Sequence, residues 1–563
     1  MKKYLLFILS VFIPLLSFAQ ETQEVGIDQK IDQAFQPISD FFSAIVFFEV
    51  AGTPFVLILL VASAAFFTIY FGFPNVRFFW RAIQTVRGKY EDIEKHGAAE
   101  LYGEDGIAQG QDLSNVDIEE HIENLDVDDN LAIDGDIVDT IRDESSAGEV
   151  SHFQALATAV SGTVGNGNIA GVALAIALGG PGATFWMIVC GLLGMSTKFV
   201  ECTLGVQYRD VGEDGTVYGG PMYYLTKGLK AKGFATLGKI AAVVFAVFCI
   251  GGSFGGGNAA QSNQATIVLK EMFNMTGAAS GFIVGIVLAI IVGIIIIGGI
   301  KRIAQVTEKV VPFMAIMYVV ACLYIILSNF SLIDDAVALI VKEAFNPTAI
   351  GVGGFIGVLL VGFKRAAFSN EAGAGSASIA HSAVRTKYSA SEGLVALLEP
   401  FIDTVLICTM TALVIIIFNF GGAFQYGGDG LGAVMIGGES FEGAGITAKA
   451  FAEYIPYSDV FLTIAVVLFA VSTMISWSYY GLQSWKFLFG RGKVADLVYK
   501  LLFLTFVVVG ASASMNSIWA FSDAMIFAMV FPNMVGLFFL FPVVKKQLTR
   551  YLNAIKLKEQ AIE

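Results

Sequence analysis

The chain has 563 residues, 56% of them hydrophobic and 15% charged, with a mean hydropathy of +0.71. Apolar runs of about 20 residues, enough to cross a bilayer, recur along it and exclude every soluble class. The formal net charge of −14 belongs largely to one stretch, since roughly twenty acidic residues fall between Glu91 and Glu149; the balance offers nothing to nucleic acid.

In chain order, Met1 to Ala19 reads as a signal peptide. Lys2-Lys3 precedes apolar Tyr4 to Leu16 and then Ser17-Phe18-Ala19, with cleavage before Gln20. An uncleaved first helix is the alternative, and the short apolar core argues against it. Residues 20–51 form an amphipathic segment outside the membrane. About eleven spans are expected, near 52–73, 154–178, 182–206, 238–269, 279–300, 307–328, 351–381, 392–418, 459–485, 495–513 and 518–541. The acidic stretch within 74–150 has few aromatics and no sustained periodicity, so it reads as a solvated linker or a regulatory insert. Asn130 to Gly135 faintly resembles a calcium loop, but Ala132 takes a ligand position and Ile141 stands where the bidentate Glu belongs.

Positive charge sets the orientation. Arg77, Arg81, Arg87 and Lys89 follow the first span, Lys227, Lys230, Lys232 and Lys239 the third, and Lys301, Arg302 and Lys309 the fifth. Arg385 and Lys387, then Arg491 and Lys493, then Lys545, Lys546 and Arg550 continue the pattern, while alternate loops carry only Lys270, Lys342 and Lys449. The N-terminus is therefore expected outside and the C-terminal tail, 542–563, in the cytoplasm of a multi-pass inner (plasma) membrane protein.

Two spans are interrupted. The second carries Ser161-Gly162-Thr163-Val164-Gly165-Asn166-Gly167-Asn168, and the seventh carries Phe368-Ser369-Asn370-Glu371-Ala372-Gly373-Ala374-Gly375. Lipid offers freed backbone groups no partners, so such breaks occur only where protein, water or ligand satisfies them. With the first span set aside, each break opens a five-helix set, at 151–328 and 351–541, joined by a periplasmic connection at 329–350. The sets start on opposite sides of the membrane, the layout of an inverted-repeat carrier with its site at the midplane. Close helix packing accounts for glycines such as Gly251 to Gly257, but not for Asn166, Asn168, Asn370 and Glu371 in hydrocarbon.

A half-helix N-terminus suits a carboxylate, and bared carbonyls with Ser/Thr hydroxyls suit a small hard cation. Glu371 either meets a substrate ammonium or pairs with Lys364 or Arg365. Asn258, Gln261 and Asn263 either face the substrate or bond between helices. Ser472-Thr473 lies one turn from Trp477-Ser478-Tyr479-Tyr480-Gly481, where Trp477 is a candidate pocket lid and the tyrosines wall or anchors. Asp403 with Thr404 is either a candidate site for a second ion or half of an ion pair. The five cysteines and four histidines are dispersed, without the convergence that a metal site, a disulfide framework or an enzyme needs. No cofactor and no obligate protein partner is indicated.

Gly162 to Val172, Gly179-Gly180-Pro181-Gly182-Ala183, Gly219-Gly220-Pro221-Met222-Tyr223-Tyr224, Phe368 to Gly373, Phe401-Ile402-Asp403-Thr404 and Trp477 to Gly481, in that order, resemble the alanine or glycine:cation symporter family. The resemblance implies a leucine-transporter-like fold carrying small neutral amino acids, alanine and glycine, inward with sodium. It places Thr163, Gly165, Asn166, Gly167, Asn168, Gln261, Phe368, Ser369, Asn370 and Trp477 around the substrate. It gives sodium the Ser161 and Val164 carbonyls with the Ser472 and Thr473 hydroxyls. Asn166 departs from the family's usual Thr, Leu482 from the Glu that commonly follows Tyr-Tyr-Gly, and the acidic insert is longer; the first two bear on substrate preference and coupling.

Overall fold

The computed structural model describes residues 27–98, 101, 140–141, 148–212, 216–277, 279–346 and 354–562. The expected signal peptide, the calcium-like stretch and most of the acidic insert lie outside the described residues.

The fold is all-α and polytopic, as composition requires. Helix α1 (Ile27–Val46) is the amphipathic segment expected outside the membrane; Ser39 and Ser43 donate to the Ser517 and Ala520 carbonyls and dock it on the last helix. The apolar α2 (Phe55–Tyr70) follows. The first interrupted span is α3 (His152–Thr163) and α4 (Gly167–Gly179), bent by 50° at the break. Ser151 and Gln154 start it with a capping box. Then come α5 (Gly182–Gln207), α6 (Ala235–Met272), α7 (Ser280–Ile296) and α8 (Gly299–Ser328).

The connection expected at 329–350 contains a helix, α9 (Ile333–Phe345). The second interrupted span is α10 (Gly354–Asn370) and α11 (Ala377–His381), with residues 371–376 non-helical between them. Four more spans follow as α12 (Ser389–Asn419), α14 (Ser458–Phe489), α15 (Lys493–Ser512) and α16 (Met515–Ile562), with the shorter α13 (Ala444–Tyr454) before α14. The tail expected beyond 541 continues α16 without a stop, with no glycine in it and with Pro542 absorbed within the helix.

Bilayer-facing and protein-facing surfaces separate cleanly. Ile283, Ile286, Ile290 and Ile294 of α7 and Phe313, Ile316, Val320 and Leu327 of α8 are exposed apolar side chains, as hydrocarbon demands. Inside, Trp477, Trp485, Tyr480 and Tyr499 are fully buried. The two interrupted spans run antiparallel. At one face the Arg385 N–H donates to the Val150 carbonyl (3.0 Å), so α3 begins where α11 ends. At the same face, strand residues Thr140–Ile141 pair antiparallel with Asp210–Gly212, which pairs with Val217–Tyr218.

Candidate functional site

Each break is built by side chains that take over the backbone's lost partners. In the first, α3 ends with the Val164 N–H on the Val160 carbonyl. The next two N–H groups then find amide oxygens: Gly165 donates to Asn168 Oδ1 (2.9 Å) and Asn166 to Gln261 Oε1 (2.9 Å). Gln261 is held in place by its own donation to the Gly256 carbonyl, and its carbonyl accepts from Asn166 Nδ2. Asn166 Oδ1 is buried and has no hydrogen-bond partner among the described residues. A buried acceptor without a donor costs on the order of 1–3 kcal/mol.

In the second break Glu371 adopts a left-handed backbone (φ +54°), uncommon for a residue with a side chain. The Ala372 N–H donates to Asn370 Oδ1 (3.0 Å), while Trp477 Nε1 donates to Glu371 Oε1 (2.9 Å) and Ser376 Oγ to Glu371 Oε2. Neither basic neighbour takes up Glu371. Lys364 and Arg365 both pair with Asp523, which corrects the ion-pair alternative for Glu371.

The breaks meet across Asp403. Its Oδ1 accepts from Asn168 Nδ2 (2.6 Å) and Ser369 Oγ (3.1 Å), and its Oδ2 from Thr404 Oγ1 (2.6 Å), which in turn accepts from Asn370 Nδ2 (2.9 Å). Asp403 lies on a π-helical turn, Phe401–Cys408, a deformation that recurs at functional sites. Among the described residues no ion pair is made to it.

Beside the first break, Thr473 Oγ1 donates to the Ser161 carbonyl (3.0 Å) and Ser161 Oγ to the Ser472 carbonyl (2.8 Å). The contact is tight: a Cβ on Gly165 would stand 2.4 Å from Thr473 Oγ1 and 3.0 Å from Gln261 Oε1. Gly167 faces Ser369, 3.5 Å from its Oγ by the same construction. The Ser472 hydroxyl donates to the Phe469 carbonyl within its own helix.

Other expected residues sit differently. The Thr163 hydroxyl turns back onto the Ala159 and Val160 carbonyls. Asn258 Nδ2 donates to the Phe503 carbonyl and Asn263 Nδ2 to the Gly510 and Ala513 carbonyls, so both bridge α6 to α15. Trp477, the candidate lid, is 1% exposed and packed on Gly257, where a Cβ would fall 2.1 Å from its ring. Tyr479 and Tyr480 are buried and not interfacial anchors. Phe368 lies against Trp519 (5.0 Å between ring centres) with Arg365 over both rings.

Comparison with known proteins settles the class. The family model of the sodium:alanine symporter family matches residues 135–563. The chain belongs to that family. It is 41% identical to the sodium/alanine symporter AgcS of Methanococcus maripaludis, covering 74% of this chain and 87% of that protein. It is 33% identical to the probable sodium/glutamine symporter GlnT of Bacillus subtilis, covering 73% and 80%. Of solved structures, MhsT in complex with L-phenylalanine aligns with a TM-score of 0.48 at 14% identity, over 72% of this chain and 99% of that one. A manganese transporter of Eremococcus coleocola aligns at 0.47 and 12%, over 73% and 85%. Neither likeness adds to what the helices themselves show. Family membership makes the chain a multi-pass membrane carrier of the cation-coupled amino-acid symport class and not an enzyme.

Sequence reasoning missed a row of buried ionisable groups at the face where α3 begins: Glu94, His152, Glu392, His381, Glu399 and Lys198. A signal existed, since Lys198, Glu392 and Glu399 fall inside expected spans where charge is costly.

Proposed function

We propose that this carrier imports small neutral amino acids, alanine and glycine, with sodium across the inner (plasma) membrane by alternating access of two inverted five-helix repeats. The observation that carries the reading is the junction at Asp403, where donors from both interrupted spans converge on one carboxylate. A solute bound there touches both halves at once, so its arrival is felt by each.

In this reading Gly165, Asn166, Gly167, Asn168, Gln261, Phe368, Ser369, Asn370 and Trp477 shape the substrate pocket, with Thr163 beside it. The open Asn166 Oδ1 accepts from the substrate ammonium, supported by its burial without a donor. The Ser161 and Val164 carbonyls with the Ser472 and Thr473 oxygens hold sodium, supported by the 3.0 Å approach of Thr473 to Ser161. Asp403 serves a second ion or steadies the junction. The N-terminus is periplasmic, from the distribution of positive charge. Each charge moving inward down a 100 mV potential contributes about 2.3 kcal/mol, enough for roughly fiftyfold accumulation.

The test is uptake of radiolabelled alanine into proteoliposomes, in sodium or choline, against a competition panel of the other amino acids. Uptake that needs sodium and is displaced by glycine supports the proposal. Uptake indifferent to sodium, or displaced only by large side chains, overturns it.

A further inference from the structure

The row of buried ionisable groups forms a nearly continuous path. Glu94 Oε2 meets His152 Nε2 at 2.6 Å, and His152 Nδ1 bonds Glu392 Oε2. Glu392 Oε1 meets His381 Nδ1 at 2.5 Å, and Glu399 Oε1 accepts from Lys198 Nζ at 3.1 Å. One step alone is open. His381 Nε2 and Glu399 Oε2 stand 3.6 Å apart, and neither atom has a hydrogen-bond partner among the described residues.

The path spans from the face where α3 begins to the second break. Its outer end, Glu94, accepts from the Tyr551 hydroxyl of α16 (2.6 Å), with Glu91 in electrostatic reach of His152. At the inner end Lys198 lies one turn beyond Gly194, on the same side of α5, and a Cβ on Gly194 would be 2.8 Å from Ala372 in the break. Asn533 ties Glu201, one turn after Lys198, to the Gly373 carbonyl of the break and accepts from Tyr224. Lys198 also interacts electrostatically with Glu201, Glu371 and Cys202, and Tyr480 with Glu399.

The charges do not balance. Glu94, Glu201, Glu371, Glu392 and Glu399 are five buried carboxylates, against Lys198 and two imidazoles. Even with both imidazoles protonated the group keeps an excess of negative charge, which a low-dielectric interior resists unless protons or cations are taken up.

Resting on the symport reading above, we infer that this row is a proton path, by which the carrier moves a proton between Glu94 and Glu399 once per transport cycle. A proton on Glu94 passes to His152 Nε2 while His152 Nδ1 gives its proton to Glu392 Oε2. After the Glu392 carboxyl turns over, the proton moves to His381 Nδ1 while His381 Nε2 delivers one to Glu399 Oε2. The 3.6 Å step is the switch: it conducts only when α11 and α12 draw together, so proton movement is tied to the conformational change and does not leak. Because His381 and Glu399 lie outside the proposed substrate and sodium shells, the path is separable from them.

The test uses the full chain in proteoliposomes with trapped pyranine, reading internal pH while radiolabelled alanine uptake is counted in parallel. Wild type is expected to change internal pH in step with alanine. His381→Gln and Glu399→Gln are expected each to lose at least tenfold of the pH change per alanine. Alanine uptake by wild type without any pH change, and at a rate constant from internal pH 6 to 8, overturns the inference. Vesicles that take up no alanine count against the symport reading instead. The path is then judged by ¹⁵N-histidine NMR of the same protein in bilayers. His152→Gln must shift the titration of His381; imidazoles that hold one state from pH 5 to 9 overturn it.

Discussion

The Asn168 side-chain amide donates to the Asp403 carboxylate at 2.6 Å while its oxygen accepts from the Gly165 N–H at 2.9 Å. One residue therefore closes the backbone gap of the first break and ties that break to α12. Gln261 does the matching work for the next N–H, at Asn166.

Asn168→Ala and Gln261→Ala are each expected to lower alanine uptake at least tenfold at unchanged surface amount. Each leaves a buried N–H without its acceptor, a cost of about 1–3 kcal/mol. Radiolabelled uptake normalised to surface-biotinylated protein reads the effect. Near-normal transport by both would place the pocket elsewhere.

Thr473→Val removes the hydroxyl that reaches the Ser161 carbonyl. The sodium concentration for half-maximal uptake is expected to rise about tenfold, with alanine affinity at saturating sodium little changed, since about 1.4 kcal/mol of binding corresponds to a factor of ten. Gly165→Ala forces a methyl to within 2.4 Å of the same hydroxyl and should abolish uptake altogether. Equal sodium dependence in Thr473→Val and wild type would remove Thr473 from the ion's surroundings.

Trp477→Phe, Glu371→Gln and the double variant form a thermodynamic cycle on the Trp477–Glu371 bond. Direct contact predicts a coupling of about 0.5–3 kcal/mol in thermal stability measured in detergent. Additive losses would mean that the bond is not formed in the populated state.

Asp523→Asn leaves Lys364 and Arg365 facing a neutral partner inside the bundle. Breaking a buried pair by removing one member costs about 3–5 kcal/mol, so a markedly lower melting temperature is expected. A double change of Arg365 and Asp523 to apolar residues should recover much of it. Unaltered melting in the single variant would contradict the pairing.

In the loop after α12, the Asp429 carboxylate accepts from the N–H groups of Leu431, Gly432 and Ala433, which together outweigh its slight burial and hold it below the usual carboxylate range. A depressed folded value means that its contribution is present above the unfolded value, about 3.9, and is lost as pH falls through the folded one. The side chain is exposed, so the effect stays local. Protease nicking of 427–433 should rise below about pH 4 in wild type and be pH-independent in Asp429→Ala.

The spans were legible because bilayer thickness imposes one length on every crossing helix, and only an apolar composition tolerates the medium. The interruptions were legible for the converse reason: Gly, Asn and Glu in hydrocarbon need a partner, so their presence announces a site. The resemblance of ordered motifs singled out both Ser161 and Thr473, which the fold brings into contact.

What pairs with what was not written in the order of residues. Asn258, Gln261 and Asn263 look alike along α6, yet Gln261 reaches the break while the other two bridge to α15. Arg365, six residues before Glu371, pairs instead with Asp523, 158 positions away. Six ionisable groups scattered from Glu94 to Glu399 read as unrelated until helix packing lined them up. Composition and periodicity act through local free energies of transfer, which each segment pays alone. Partner choice between side chains depends on distances that exist only once all the helices have assembled.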